Sequence, residues 1–342
     1  MKHQIPLVSV VICEYNTDIK YLRDAINSVL AQTYTNFELI IVDDCSSTNY
    51  SKEDFLSDPR VRVIKNKINM GLAASRNIGI DNSFGKYIAI MDTDDICHKN
   101  RLSIQVRFME KHANVVCAGT YVKLFGNRKC KQKYSIKNTD YYRCCLLFGN
   151  SPTVTNPSVI IRSELFKNKK VRYDEQLKTA EDYDMWVQLS QNGDIKIIKK
   201  VLLDYRIRDG QMSEVFRSKD LNQYNWSIMK KQLNCLGHDV SMVGETFLRK
   251  DFKDTSIDAF SYFNFLNSLV KANQKTGFYN VVSLRKRCKQ QWKQKVYSTV
   301  NQGQLKFLLS KISFSKRMQI YMWIILRPLN IIYRIINYLR TI

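Results

Sequence analysis

Short apolar runs recur along the first hundred residues, at Leu7–Cys13, Phe37–Val42, Val61–Ile64 and Tyr87–Met91. The stretches between these runs have helical spacing, as the apolar positions from Ile19 to Leu30 illustrate. Strands that alternate with helices in this way are typical of βαβ units and a mainly parallel sheet. Such sheets bind ligands at the carboxyl ends of their strands.

Farther along the chain the pattern becomes mixed. It predicts strands at Val115–Phe125, Val159–Ile161 and Ile195–Asp204, a polar loop at Gly126–Lys133 and a helix at Glu181–Gln191. Beyond about residue 215 the sequence is helical, polar and increasingly basic. We therefore expect an α/β domain with a Rossmann-like sheet over residues 1–215 and a helical basic appendage over residues 216–342.

The chain has 342 residues and a formal net charge of +23. No acidic residue follows Asp258, and residues 259–342 carry 15 Lys and Arg residues, about two thirds of the net charge. Such an excess predicts an anionic partner, for example nucleic acid, an anionic membrane surface or a phosphorylated substrate. Because no nucleic-acid-binding motif accompanies the charge, we expect no nucleic acid partner.

The nine cysteines form no C-x-x-C pair, which is typical of reduced thiols in a cytosolic protein. The amino-terminal residues lead into a strand-like segment without the apolar stretch of a signal peptide. Near the carboxyl terminus, Met318–Leu326 is about half the length that a membrane span needs. We expect a cytoplasmic protein without a transmembrane helix.

The first glycine of the chain is Gly71, far beyond the first predicted strand. A glycine-rich turn after that strand cradles phosphate in Rossmann dehydrogenases and P-loop NTPases. Its absence argues against both classes and against sugar-nucleotide pyrophosphorylases. The four histidines lack metal-ligand spacing, which argues against a zinc enzyme with histidine ligands. The side chains that remain as candidates for the chemistry are carboxylates.

Two acidic clusters follow predicted strands. Asp92 and Asp94 lie two residues apart at a strand end, with Asp95 next, and a divalent cation bound by their oxygens would relieve their repulsion. The same residues also fit the first turn of a helix, where they would satisfy free amides. Asp43 and Asp44 fit either a simple turn or an acceptor for a nucleobase N–H. A bacterial receiver domain also uses an acidic pair, but places it after the first strand.

Five motifs in order resemble those of family 2 inverting glycosyltransferases, which have the GT-A fold. They are the segments 8–16, 32–46, 69–79, 92–95 and 181–186. The resemblance covers roughly residues 6–215, and five ordered motifs are far more specific than any one of them.

The resemblance implies a role for each matching residue. Tyr15 would border the uracil of a UDP-sugar, Asp44 with Asp43 beside it would read the base, and Arg76 would contact the nucleotide. Asp92 and Asp94 would form the D-x-D motif that holds Mn²⁺ or Mg²⁺ on the donor diphosphate, with Asp94 the more direct ligand. Those roles agree with the lack of a glycine-rich phosphate loop.

The Glu-Asp pair of the last motif carries the implied chemistry. Asp182 would be the catalytic base, kept ionised by the dipole of the helix that it opens. Glu181 and Trp186 would shape the acceptor site, although Trp186 is equally typical of a core position. The family often has Tyr-Arg-x-His near residue 205, whereas this chain has Arg208 at the histidine position, a side chain that pairs with phosphate but does not readily titrate.

These observations favour an inverting glycosyltransferase that moves a sugar from a UDP-sugar to a saccharide acceptor, for example a lipid-linked glycan. The resemblance suggests capsule, O-antigen (lipopolysaccharide) or related polysaccharide assembly, at the cytoplasmic face of the inner membrane. The alternative is a non-catalytic protein that binds membrane or nucleic acid on a degenerate transferase fold.

The segment 306–342 carries seven Lys and Arg residues and no acid beside a large apolar content. We expect full-length protein to bind anionic vesicles at low salt and release them as salt rises, because each basic group near such a surface contributes about 1 kcal/mol. Truncation after Gly303 should abolish vesicle sedimentation and spare activity on a soluble acceptor. Full-length protein that ignores anionic vesicles would refute the membrane hypothesis, and an insoluble truncation would favour a packed appendage.

Overall fold

The computed structural model describes residues 7–127, 129–133, 135–149, 154–209, 219–239 and 259–301. The chain divides into two compact units, Met1–Gln232 and Leu233–Ile342. The boundary expected near residue 215 and the basic segment 306–342 lie outside the described residues.

A single mixed sheet forms the centre of the first unit. Its strands in chain order are β1 (Val8–Glu14), β2 (Phe37–Asp43), β3 (Val61–Lys65), β4 (Tyr87–Met91), β5 (Ile96–Cys97), β6 (Val115–Gly126), β7 (Cys130–Gln132), β8 (Ile160–Arg162) and β9 (Asp194–Ile207). They lie in the order β3-β2-β1-β4-β8-β6-β9-β5, and β7 pairs with β6. The first four strands are mutually parallel, whereas β8 is antiparallel to both of its neighbours.

Helices cover both faces of this sheet. They are α1 (Ile19–Leu30), α2 (Leu72–Asp81), α3 (Arg101–Lys111), α4 (Thr139–Leu147), α5 (Glu164–Lys167) and α6 (Glu181–Asn192). Alternate residues of β1 contribute to two separate cores, because successive side chains of a strand point to opposite faces. Helices α1 and α3 bury their apolar residues in one core, and α2, α4 and α6 in the other.

The four amino-terminal apolar runs are strands β1 to β4, and the predicted helix at Glu181–Gln191 is α6. The α/β prediction is therefore confirmed. One local expectation is wrong: the polar loop predicted at Gly126–Lys133 contains β7, which forms a hairpin with β6. The side chains of Cys130 and Lys131 are exposed, so this strand has no buried face to produce an apolar pattern.

Helix α2 packs closely against the sheet at a glycine. A Cβ atom on Gly79 would lie 2.5 Å from Val11 Cγ1 and 3.1 Å from Val42 Cγ2. The residue before the helix, Gly71, has φ of +89°, a conformation that favours glycine. These two glycines fix where α2 begins and how near it lies to β1 and β2.

In the second unit the described residues are helical. The helix α7 (Lys219–Cys235) ends just inside it, and α8 (Ala259–Thr276) and α9 (Val281–Asn301) follow. The Asn273 amide donates to Tyr279 O at 2.8 Å and accepts from Tyr279 N at 2.7 Å, which fixes the α8–α9 turn. No helix in the described ranges combines the length and apolar character required to cross a bilayer.

The packing at Gly79 gives a stability prediction with a defined sign. Alanine has a higher helix propensity than glycine by about 1 kcal/mol, so propensity alone would stabilise a Gly79→Ala variant. The added methyl group instead overlaps Val11, and overpacking of this kind costs about 1–3 kcal/mol. We expect a lower urea midpoint than wild type, and Val11→Ala should cost less in the Gly79→Ala background than alone. A raised midpoint would contradict this packing.

Candidate active site

The candidate site lies where the parallel strands β1, β2 and β4 end. The strand register places Glu14 opposite Asp43 and Ile12 opposite Met91, so the residues that follow these strands lie side by side. Strand β1 lies between β2 and β4: the chain runs from β1 to β2 and β3 on one side, and then crosses from β3 to β4 on the other side. Crevices at such a switch point bind ligands in open α/β sheets.

The two carboxylates at the end of β2, Asp43 and Asp44, build the loops around this crevice. Asp44, 3% exposed, accepts from Asn66 Nδ2, Met70 N and Gly71 N at 2.8 Å each. Asp43, 1% exposed, accepts from Ser46 N at 2.7 Å. Of the pair predicted to read the base, Asp44 therefore holds the loop that precedes α2, and Asp43 holds the loop that follows β2.

The β1 end contributes an exposed ring and a buried acid. The Tyr15 side chain is 53% exposed, which leaves its face open for stacking. Glu14 is fully buried, and its Oε1 accepts from Thr17 N and Ser46 Oγ, both at 3.0 Å. Sequence reasoning assigned Glu14 no role, and it joins the loops after β1 and β2.

The guanidinium of Arg76 lies among acidic groups from distant parts of the chain. Its Nη1 donates to Glu181 Oε1 at 2.7 Å, and its Nη2 lies 3.5 Å from Asp92 Oδ1. The Asn156 amide, turned with its oxygen toward Arg76, accepts at 2.9 and 3.2 Å. The ring centroid of Tyr173 is 5.3 Å from the guanidinium carbon. Arg76 was predicted to contact the nucleotide; here its donors face protein groups, and only 5% of its side chain is exposed.

Four carboxylates share this region. Burial and the neighbouring Glu181 raise the pKa of Asp182 to about 6, against the opposing effect of Arg76. Burial, with the charges of Asp94 and Glu181, likewise raises the pKa of Asp92, and Arg76 again opposes the shift. Asp182 does lie in the first turn of α6, as predicted. Burial and like charges thus oppose the ionisation that the helix dipole was expected to favour.

Strand β9 delivers two arginines to the loop after β4. Arg206 N donates to Asp95 Oδ1 at 2.9 Å and Arg206 Nε to Asp94 O at 2.8 Å. Arg208 Nε donates to Asp94 Oδ2 at 2.9 Å. The Arg206 guanidinium carbon lies 4.3 Å from the ring centroid of Tyr21, which steadies this end of β9. These contacts tie the D-x-D segment to the end of β9.

The D-x-D carboxylates have the chemistry of a Mg²⁺ or Mn²⁺ site. Among the described side chains, no group of three or more His, Cys, Asp or Glu residues is arranged to hold a metal ion. Two carboxylates fit a cation that takes its remaining ligands from substrate phosphates and water. The charge of Asp94 contributes to the raised pKa of Asp92, which shows the repulsion that a cation would relieve. The residues present therefore fit such an ion.

The sequence analysis assigned no role to two neighbours of the cluster, Tyr173 and Tyr205. Tyr173 donates its backbone N–H to Asn77 Oδ1 at 3.1 Å although the two residues are 96 positions apart. Burial and the charges of Asp92 and Asp95 raise the pKa of Tyr205, which keeps its phenol protonated. The apolar pattern predicted the strand that carries Tyr205, and the Tyr205-Arg206 pair is the signal that could have pointed to this residue.

Trp186 occupies a different place from the acidic residues of α6. It is 1% exposed and lies in the core formed with α2 and α4. The acceptor role implied for Trp186 would require an accessible surface. Trp186 is therefore a core residue, and it does not belong to the proposed acceptor site.

Comparison of the sequence with known proteins identifies its family. The profile of Glycosyl transferase family 2 matches residues 9–168. An uncharacterized glycosyltransferase of Methanocaldococcus jannaschii is 36% identical over 234 residues, which cover 64% of this chain and 78% of that protein. The chain belongs to glycosyl transferase family 2. A Haemophilus influenzae glycosyltransferase is 29% identical to it over 259 residues, covering 71% and 79% of the two chains.

A solved structure shares the fold of this family 2 glycosyltransferase. S. aureus TarS, residues 1–349 in complex with UDP-GlcNAc, aligns with a TM-score of 0.59 at 19% sequence identity. The alignment covers 87% of this chain and 92% of the TarS chain. At this level of identity the likeness shows the GT-A fold alone.

Proposed function

We propose that this glycosyltransferase moves a sugar, with inversion, from a UDP-sugar to a hydroxyl group of a saccharide acceptor. The observation that carries the proposal is the convergence of Asp92, Glu181 and Asp182 around Arg76 at the carboxyl end of the sheet, with Asp94 next to Asp92. Such a cluster offers carboxylates for a cation and a separate carboxylate for proton transfer within one crevice.

The nucleotide would bind over the ends of β1 and β2. Tyr15 would stack on or border the uracil, and Asp44 with Asp43 would set the loops that contact it. Each carboxylate oxygen has two acceptor positions, so Asp44 Oδ2, which accepts from Gly71 N, keeps one for a base N–H. The TarS complex with UDP-GlcNAc supports a uridine diphosphate donor for this fold.

The donor diphosphate would lie next to the D-x-D segment. Asp94 and Asp92 would hold Mn²⁺ or Mg²⁺, which when bound stabilises the negative charge that develops on the leaving diphosphate. Arg208 lies beside Asp94 and is 42% exposed, so its guanidinium is within the same region as the phosphates. Arg76 would orient Asp92 toward this site rather than bind the nucleotide itself.

Asp182 would act as the general base. It would accept the proton of the acceptor hydroxyl while that oxygen attacks the anomeric carbon from the face opposite the diphosphate, so that the configuration inverts. The ion pair between Arg76 and Glu181 would fix the start of α6 and so the position of Asp182. Glu181 would also border the acceptor.

The acceptor and cellular setting follow from the family and the charge. We propose a saccharide acceptor, for example a lipid-linked glycan of a surface polysaccharide, and an anionic membrane surface at the cytoplasmic face of the inner membrane. In support, α9 carries six Lys and Arg residues and no acid among its residues. The proposed catalytic part is residues 1–215.

Asp94→Asn should lower UDP-sugar turnover at least about 100-fold, because it removes the charge proposed to hold the cation. It should also abolish the effect of Mn²⁺ on UDP affinity. Turnover is measured as UDP release across a panel of UDP-sugars, and UDP affinity by calorimetry with and without Mn²⁺. Asp81→Asn, an exposed carboxylate at the end of α2, is the matched control and should behave as wild type. Undiminished Mn²⁺-dependent turnover in Asp94→Asn would refute the assignment.

Asp182→Asn should keep UDP–Mn²⁺ affinity within about twofold of wild type and lower turnover about 10²–10⁴-fold. In the wild type the rate should fall as pH drops below about 6, because a base works only when deprotonated. This acidic limb is measured with saturating donor. Asp184→Asn, two residues along the same helix and facing Lys231, is the control. Weakened UDP binding with preserved turnover would make Asp182 a donor-site residue.

A further inference from the structure

The D-x-D carboxylate of Asp94 is already paired with a cation of the protein. Arg208 Nε donates to Asp94 Oδ2 at 2.9 Å, and the Asp94 side chain is only 12% exposed. The Arg208 side chain is 42% exposed, and its guanidinium carbon lies 6.0 Å from the ring centroid of Tyr21. The Arg208 guanidinium is therefore bound to Asp94 through Nε, and the rest of the side chain is partly exposed to solvent.

This pair would oppose cation binding in the free protein. A divalent cation bound by the Asp94 carboxylate would lie beside the Arg208 guanidinium, and the repulsion between these two positive charges would displace the guanidinium from Asp94. The displaced guanidinium keeps its positive charge at any physiological pH. It then needs another anion, and the donor diphosphate is the anion that the proposed function brings to this place. Arginine suits it, since its planar fork matches phosphate oxygens.

We propose that Arg208 exchanges partners during donor binding, from Asp94 in the free enzyme to the diphosphate in the complex that contains the cation. The inference rests on the proposed function, in which Asp94 holds the cation. The exchange makes the two ligands cooperative, because the cation frees Arg208 for the diphosphate and the diphosphate compensates the loss of the Asp94 pair. Without the diphosphate the cation binds poorly, so it binds mainly together with the donor.

The first test measures Mn²⁺ binding without nucleotide, by the electron paramagnetic resonance signal of free Mn²⁺. Arg208→Gln should bind Mn²⁺ about 2- to 5-fold more tightly than wild type, the range that loss of a partly exposed ion pair allows. Lys65→Gln is the matched control, because it removes one positive charge that pairs with Asp43 at 3.4 Å rather than with Asp94. It should leave Mn²⁺ affinity unchanged. Equal or weaker Mn²⁺ binding by Arg208→Gln would overturn the exchange.

The second test measures UDP affinity by calorimetry. In wild type, saturating Mn²⁺ should tighten UDP binding. The ratio of the UDP affinities with and without Mn²⁺ should be several-fold smaller in Arg208→Gln. Without any metal, Asp94→Asn should bind UDP more tightly than wild type, because it releases Arg208 to the diphosphate. The double variant Asp94→Asn/Arg208→Gln should lose that gain. A gain that persists in the double variant would come from reduced repulsion by Asp94 alone and would overturn the exchange.

The outcomes distinguish a failure of this inference from a failure of the proposed function on which it rests. If Mn²⁺ has no effect on UDP affinity in wild type, the proposed metal-dependent donor site fails and the exchange fails with it. If Mn²⁺ tightens UDP binding equally in wild type and Arg208→Gln, the donor site stands and only the exchange is wrong. Arg208→Lys, which keeps the charge without the planar fork, should retain weak Mn²⁺ binding while its UDP–Mn²⁺ affinity falls.

Discussion

The candidate site depends on one buried, positively charged side chain, the guanidinium of Arg76. Arg76 joins helix α2 to the end of β4 through Asp92 and to the start of α6 through Glu181. Removing one partner of a buried ion pair leaves the other charge unpaired, at a cost on the order of 3–5 kcal/mol. Asn156 and Tyr173 complete the surroundings of the guanidinium, so its geometry is set from several sides. The arrangement of the acidic groups follows from this single side chain.

One guanidinium does not balance the carboxylates around it. Asp92, Asp182 and Glu181 all interact with Arg76, and burial together with the excess negative charge raises the pKa values of Asp92 and Asp182. A region of this kind favours ligands that bring positive charge, and it makes a carboxylate more basic than it would be in water. The two requirements of the proposed reaction, a cation near the phosphates and a base near the acceptor, thus have one electrostatic origin.

The loops of the crevice are built by buried carboxylates instead of glycines. Glu14, Asp43 and Asp44 accept hydrogen bonds from backbone N–H groups of the loops that follow β1, β2 and β3. Many phosphate-binding α/β proteins present backbone N–H groups to the ligand on a glycine-rich turn. Here such groups donate to the protein's own carboxylates, so in the proposed donor complex recognition of the diphosphate would fall to side chains and to a bound cation.

The sequence by itself determined the strands that frame the site, since β1, β2 and β4 are continuous apolar runs buried on both faces. It also indicated that Asp43, Asp44, Asp92 and Asp94 follow those strands, and parallel strands bring such residues to one edge. It missed β7, whose exposed side chains carry no pattern.

The tertiary structure alone decided which charges meet. Arg76 and Glu181 are 105 positions apart, and Arg208 and Asp94 are 114 apart, so no local spacing predicts either pair. The ionisation of Asp182 was expected to follow the helix dipole, whereas burial and Glu181 also act on it and raise its pKa. Sequence patterns report which residues are neighbours along a strand or a helix. A pKa depends on burial and on every charge nearby, and these are set only when distant segments pack together.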